Sequence, residues 1–186
     1  MTVIATRRLV LRALVPADAE RIAELAGDWD IASMTARMPY PYTVDAARRW
    51  MAEIDPGEIV LAITEQGTLV GVTGFTMASC GRRAEIGYWI GKPYWNRGYA
   101  TEAVAALIAR CFRTKGIEEI LCSHFADNPA SARVIEKLGF TPRGQSRRWC
   151  EARRRDVPAI DHGLARPRSL WRRLMSSRLA ASGRAA

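Results

Sequence analysis

Apolar and polar residues alternate at period two over residues 7–14 (RRLVLRAL), the pattern of a strand with one face buried. Pro16 and Asp18 then give a helix-start signal, and Ile22, Leu25 and Ala26 recur at helical spacing, so a helix is predicted there. Residues 28–42 (DWDIASMTARMPYPY) carry aromatics, methionines and prolines without a clear period, which predicts a loop or a broken helix; Thr43 then caps a helix to about Ile54. Two β-rich runs, 58–64 and 69–77, flank Glu65-Gln66-Gly67-Thr68 in the manner of a hairpin, and 84–91 supplies a third strand of an antiparallel meander. The period becomes helical over 101–116, ending at Gly116, before a buried-looking strand at 118–125. A helix over 128–138 ends at Gly139, and two last strands are predicted at about 140–149 and 156–165 around an Arg-rich connection. This order is mixed α/β, with no internal repeat or linker.

The length of 186 residues suits one domain, since domains typically run to roughly 100–200 residues. We expect that domain over 1–167 and a separate tail over 168–186. A chain with 48% hydrophobic and 25% charged residues is neither wholly disordered nor collagen-like. No apolar run approaches the ~18–20 residues of a membrane-spanning helix, and Arg7, Arg8 and Arg12 interrupt the N-terminal aliphatics, unlike a secretory leader. The expected location is cytoplasmic. Cys80, Cys111, Cys122 and Cys150 are scattered, with no CxxC pair, and only His124 and His162 accompany them, so neither a disulfide framework nor a metal site is predicted.

The net charge of +9 is unevenly placed: residues 1–142 carry 16 basic and 16 acidic side chains, residues 143–186 carry 12 Arg against 3 acids. Such asymmetry fits an anionic partner or, equally, a solvated Arg-rich surface. In the tail, Leu170, Trp171, Leu174, Met175 and Leu179 fall at helical spacing with Arg172, Arg173 and Arg178 between them, a basic amphipathic pattern suited to packing on the domain, on a dimer partner, on a membrane or on RNA.

The chemistry concentrates in KPYWNRGYATEA (92–103). Gly98 and Ala100 leave the backbone uncovered where a helix begins, so several N–H groups converge with the helix dipole behind them, and a phosphate or diphosphate fits there. The spacing is not GxxxxGK[ST], and the three glycines of the dinucleotide fingerprint are missing. A second motif follows: Asn128-Pro129-Ala130-Ser131, a helix, then Glu136-Lys137-Leu138-Gly139-Phe140.

Together with Glu85-Ile86-Gly87-Tyr88-Trp89-Ile90, these motifs resemble the GNAT superfamily of acetyl-CoA-dependent N-acetyltransferases, in the branch that acetylates ribosomal-protein N-termini. The resemblance covers roughly residues 7–165. Trp95 stands where the superfamily more often has Gln or Arg, although an aromatic there looks usual in this branch. The resemblance implies an α+β fold with a mixed, mostly antiparallel sheet flanked by helices and splayed between its fourth and fifth strands (84–91 and 118–124), with acetyl-CoA in the opening. It also implies that the diphosphate sits on the N–H groups of Asn96, Arg97, Gly98, Tyr99, Ala100 and Thr101, that the pantetheine arm pairs near Ile90 as an extra strand, and that Asn128 bonds this arm.

Attack of an amine on a thioester needs a proton acceptor, an oxyanion donor and a proton donor for the thiolate. Glu85 is the candidate base, through water; its alternative is a surface Glu paired with Arg82 or Arg83. Ser131 matches the serine that this branch places near the thiolate; its alternative is a first-turn residue bonded locally. Tyr88 is a further candidate acid, and a backbone N–H near Ile90 the candidate oxyanion donor. The family walls its amine pocket with the regions corresponding to 28–42 and 149–156, so Trp29, Met34, Met38, Tyr40 and Tyr42 are expected in an apolar cleft or in the core. Arg147, Arg148, Arg153, Arg154 and Arg155 would favour an acidic peptide or a phosphorylated molecule, or face solvent. A protein N-terminal α-amine is the first expectation for the acceptor and a small-molecule amine the second. Alternatives of another class are a degenerate CoA-binding protein or an RNA-associated module. A monomer or a homodimer is expected.

Overall fold

The computed structural model describes residues 3–114 and 116–167, so the amphipathic tail and its boundary lie outside the described residues. Of the alternating segment at the start only Val10–Ala13 is strand, and a second, shorter strand precedes it. β1 (Ile4–Ala5) and β2 (Val10–Ala13) pair antiparallel, with Arg7 and Arg8 in the turn between them. Thr6 closes that turn, its N–H donating to the Leu9 carbonyl (2.9 Å) and its hydroxyl accepting from the Leu9 N–H (3.0 Å). Helix α1 (Asp18–Ala26) turns Ile22, Leu25 and Ala26 inward as predicted. Asp18 accepts from both terminal nitrogens of Arg12 (2.7 and 2.8 Å) and from the Val15 N–H, which together outweigh its burial and hold its carboxyl below the usual range.

The 28–42 segment contains one short helix, α2 (Trp29–Ala32), started by the Asp28 side chain on the Asp30 N–H (2.9 Å). Thr43 caps α3 (Val44–Ala52) through the Ala46 N–H. Strands β3 (Glu58–Glu65), β4 (Thr68–Met77) and β5 (Arg83–Ile90) form the predicted meander. Gln66 and Gly67 both take positive φ (48° and 84°), the two-residue geometry that matches strand twist in a hairpin.

After β5 come α4 (Tyr99–Arg113), β6 (Glu119–Phe125), α5 (Pro129–Lys137), β7 (Thr141–Cys150) and β8 (Arg155–Ala165). Helix α4 starts two residues before the predicted position because Gly98, in the left-handed region at φ 77°, is its N-cap; it stops earlier because Thr114 is extended. The eight strands form one sheet in the order β1-β2-β3-β4-β5-β6-β8-β7. Every pairing is antiparallel except β5 with β6. One face packs Ile86 and Ile120 against Val104 and Leu107 of α4 and Ile135 of α5; the other packs Val72 against Ile22, Leu25 and Ala47 from α1 and α3. The parallel pair is also the weak seam: it joins Arg83 with Glu119, Ala84 with Ile120 and Glu85 with Leu121, and the strands then diverge. The expected splay lies at this seam. No helix among the described residues is long and apolar enough to cross a membrane.

Candidate active site

Where β5 and β6 part, a cavity of about 1130 Å³ opens, walled by Glu85–Ile90 on one side and Cys122–Phe125 on the other. The phase of the antiparallel ladder decides which backbone groups face it. Gly91 donates to the Val70 carbonyl (2.8 Å), so alternate residues of β5 bond β4, and the N–H and C=O groups of Tyr88 and Ile90 point into the gap. One of these is already taken, because the Trp95 indole donates to the Ile90 carbonyl at 2.6 Å. The Tyr88 groups and the Ile90 N–H remain for a ligand arm or an oxyanion.

At one end of the cavity lies the glycine loop. Asn96 and Gly98 take positive φ (60° and 77°), and among the described residues the N–H groups of Asn96, Arg97, Gly98, Tyr99, Ala100 and Thr101 have no backbone or side-chain acceptor. All of these residues except Arg97 line the cavity. The orphan donors are the ordinary unsatisfied N–H groups of a helix start, here extended backwards by the loop, and they suit an anion. The Arg97 side chain turns away: it donates to the Pro93 carbonyl (3.0 Å) and lies over the Tyr94 ring.

The catalytic candidates lie along the gap. Glu85 lines the cavity and is paired, with Arg148 rather than with either neighbouring arginine: Arg148 Nη1 donates to Glu85 Oε1 at 2.7 Å. Arg82 and Arg83 instead meet Glu118 and Glu119. The second arm of Arg148 reaches Asp161 Oδ1 (3.1 Å), which also accepts from the Ser123 hydroxyl (2.7 Å). Burial raises the Asp161 carboxyl, and the bonds from Ser123 and Arg148 more than reverse this, leaving it below its usual range. Among the described residues Glu85 Oε2 has no hydrogen-bond donor.

Asn128 caps α5 by accepting the Ser131 N–H (3.0 Å), which commits its carbonyl oxygen to the helix and fixes Ser131 at the cavity wall. The Ser131 hydroxyl is not confined to a local bond. It lies 2.8 Å from the Tyr88 hydroxyl, which projects from β5. Burial pushes the Tyr88 phenol far above its ordinary value, so this pair is neutral and able to donate. Nearby Cys122 also lines the cavity, but burial pushes its thiol up to about 12, so it is no nucleophile near neutral pH.

The acceptor side departs from expectation. Met34, Met38 and Tyr42 line the cavity, together with Trp50 of α3, which the sequence did not single out. Trp29 and Tyr40 do not: they pack edge to face at 5.0 Å, half exposed and outside the lining. Of the five arginines expected here, only Arg148 lines the cavity, and both of its terminal nitrogens are engaged with acids. Arg153 pairs with Asp127 (2.6 Å) and borders, with Arg147 and Arg155, a separate cleft of about 370 Å³. Among the described residues no group of three or more Cys, His, Asp or Glu suits a metal.

The sequence pattern of the acetyltransferase (GNAT) domain matches residues 8–141, which span the cradle, both gap strands and α5. The chain belongs to the GNAT acetyltransferase family. Within it, the uncharacterized N-acetyltransferase YoaA of Bacillus subtilis is 38% identical over 82 residues, 44% of this chain and less than half (46%) of that protein. The uncharacterized N-acetyltransferase p20 of Bacillus licheniformis is 27% identical over 163 residues, 83% of this chain and 91% of that protein. In fold, this GNAT chain resembles the solved structure of RimL, a ribosomal L7/L12 α-N-protein acetyltransferase in complex with coenzyme A, with a TM-score of 0.78 at 18% identity over 88% of this chain and 98% of that one.

Proposed function

We propose that this GNAT acetyltransferase takes its acetyl group from acetyl-CoA and delivers it to a protein N-terminal α-amine, both substrates being bound together. The observation that carries the reading is the continuity of one gap from an anion cradle, past the free backbone edge of β5, to the Tyr88–Ser131 hydroxyl pair. The cradle fits a diphosphate, since its donors are unpaired and Gly98 has no side chain to obstruct them. Acetyl-CoA supplies an acetyl group already activated as a thioester. Asn96 to Thr101 hold the diphosphate through backbone N–H groups, and the Tyr88 and Ile90 backbone orients the amide arm. Glu85 Oε2 accepts the proton of the incoming ammonium through water, with Arg148 fixing the carboxylate. The Tyr88–Ser131 pair returns a proton to the departing sulfur. The branch resemblance, and the name of the fold neighbour RimL, support an N-terminal amine as acceptor.

Calorimetric titration with acetyl-CoA, against ATP and NADPH, tests the donor; thiol release with N-terminal peptides and with small amines tests the acceptor. Selective micromolar binding of acetyl-CoA and turnover on peptides are expected. Turnover on small amines alone would overturn the acceptor, and equal binding of ATP would overturn the donor.

A further inference from the structure

Glu102 stands in the first turn of α4, directly after Thr101, the last residue of the cradle. An acid at a helix start is ordinarily favourable, but here it shares that end with an anion site, and an uncompensated carboxylate repels a diphosphate. The chain compensates it fully. Oε1 accepts from the Thr6 hydroxyl (2.7 Å) and the Arg8 N–H (2.8 Å), and Oε2 accepts from Arg8 Nε (2.8 Å) and lies 2.8 Å from Arg8 Nη2. Burial raises the Glu102 carboxyl, but these bonds outweigh it and hold the group below its usual range.

The remaining terminal nitrogen of Arg8 reaches the cradle itself. Nη1 donates to the Arg97 carbonyl at 2.9 Å. The Arg97–Gly98 peptide is trans and planar, so with its C=O fixed on Arg8 its N–H points the opposite way, away from Arg8. Arg8 lies outside the cavity lining while Gly98 is part of it. The guanidinium also rests 4.7 Å from the Tyr99 ring centroid, and its Nη2 lies 3.5 Å from the point a Gly98 Cβ would occupy. One planar fork thus serves an acid and a carbonyl at once, which a lysine ammonium cannot reproduce.

We propose that Arg8 is a positioning residue for the diphosphate cradle: it orients the Arg97–Gly98 peptide so that its N–H serves the ligand, and it cancels the charge of Glu102. This rests on the reading of residues 96–101 as the cradle.

The test is the affinity for coenzyme A, by calorimetry, and for pantetheine, which lacks the diphosphate, by displacement, with melting temperatures measured alongside. Wild type should bind coenzyme A more tightly than pantetheine; equality there sinks the cradle reading itself, and this inference with it. Arg8→Met should weaken coenzyme A about tenfold or more with pantetheine within about twofold. Arg8→Met/Glu102→Gln should recover part of the loss, because the repelling charge is gone. Unchanged coenzyme A affinity in Arg8→Met, or an equal loss for both ligands, overturns the proposal, the latter because it marks a general structural defect. If Arg8→Met does not fold, the comparison moves to the double variant against Glu102→Gln alone, neither of which leaves a lone carboxylate. The double must then bind coenzyme A more weakly, and equality overturns the role of the Arg97 carbonyl.

Discussion

Tyr88 and Ser131, on a strand and a helix 43 residues apart, share a hydrogen bond of 2.8 Å across the wall of the opened sheet. The Asn128 cap holds the Ser131 backbone, and burial keeps the Tyr88 phenol protonated, so two rigid elements present one neutral donor pair to the gap. Ser131→Ala and Tyr88→Phe should each lower kcat by roughly a hundredfold, the low end of what a positioned proton donor contributes, with coenzyme A affinity within about twofold. Steady-state thiol release gives kcat and calorimetry gives the affinity. If both variants turn over at the wild-type rate, the pair has no part in proton transfer.

Gly98 meets the cradle in a conformation that disfavours any side chain, at φ 77°. Gly98→Glu adds a carboxylate among the orphan N–H groups and should abolish coenzyme A binding in calorimetry. Gly98→Ala carries only the strain of left-handed backbone, about 1–2 kcal/mol, and should lower the melting temperature by a few degrees while binding survives in weakened form. Full affinity in Gly98→Glu would remove the diphosphate from this loop.

Glu85 has two possible roles, proton acceptor and ion-pair partner of Arg148, and one substitution separates them. Glu85→Gln keeps the shape and a hydrogen-bonding oxygen for Arg148 but cannot take a proton. Turnover should fall at least tenfold with coenzyme A affinity intact. A loss of melting temperature with unchanged turnover would leave Glu85 as a structural partner alone.

His162 of β8 stacks on His124 of the neighbouring β6 with ring centroids 5.2 Å apart, both imidazoles being buried. Burial, reinforced by His124, lowers the proton affinity of His162. The unfolded chain takes up this proton near pH 6.5 and the folded chain only at lower pH, so between those values the unfolded state binds more protons. Stability should therefore decline as pH falls below about 6.5, well above the range where Asp18, Asp161 and Glu102 begin to matter. Melting temperatures from pH 7.5 to 5.5 should drop for wild type and much less for His162→Gln. Parallel curves would exclude His162 as the source.

What the sequence determined by itself was local. The helical period and Gly98 announced α4 and its uncovered start, Thr43 announced the cap of α3, and the Gln66-Gly67 pair announced the β3–β4 turn, because φ preference, side-chain capping and periodicity act within a few residues of one another. The resemblance to the acetyltransferases likewise rode on these short motifs, and with it came the opened sheet. Other features were beyond local patterns. The turn that delays β2 to Val10 and pairs it with β1 depends on Thr6 and Leu9, and nothing in the alternation of residues 7–14 marks it. The Trp29–Tyr40 contact took those rings out of the cleft expected for them.

Tertiary structure decided the partnerships. Glu85 finds Arg148, 63 residues on, because β7 returns beside β8 at the far edge of the opened seam. Arg8 finds Glu102 and the Arg97 carbonyl, 94 and 89 residues away, because the turn after β1 passes over the start of α4. Charges and hydroxyls at such separations carry no periodic signal; what brings them within 3 Å is strand order and register, which burial of the two sheet faces selects for the chain as a whole.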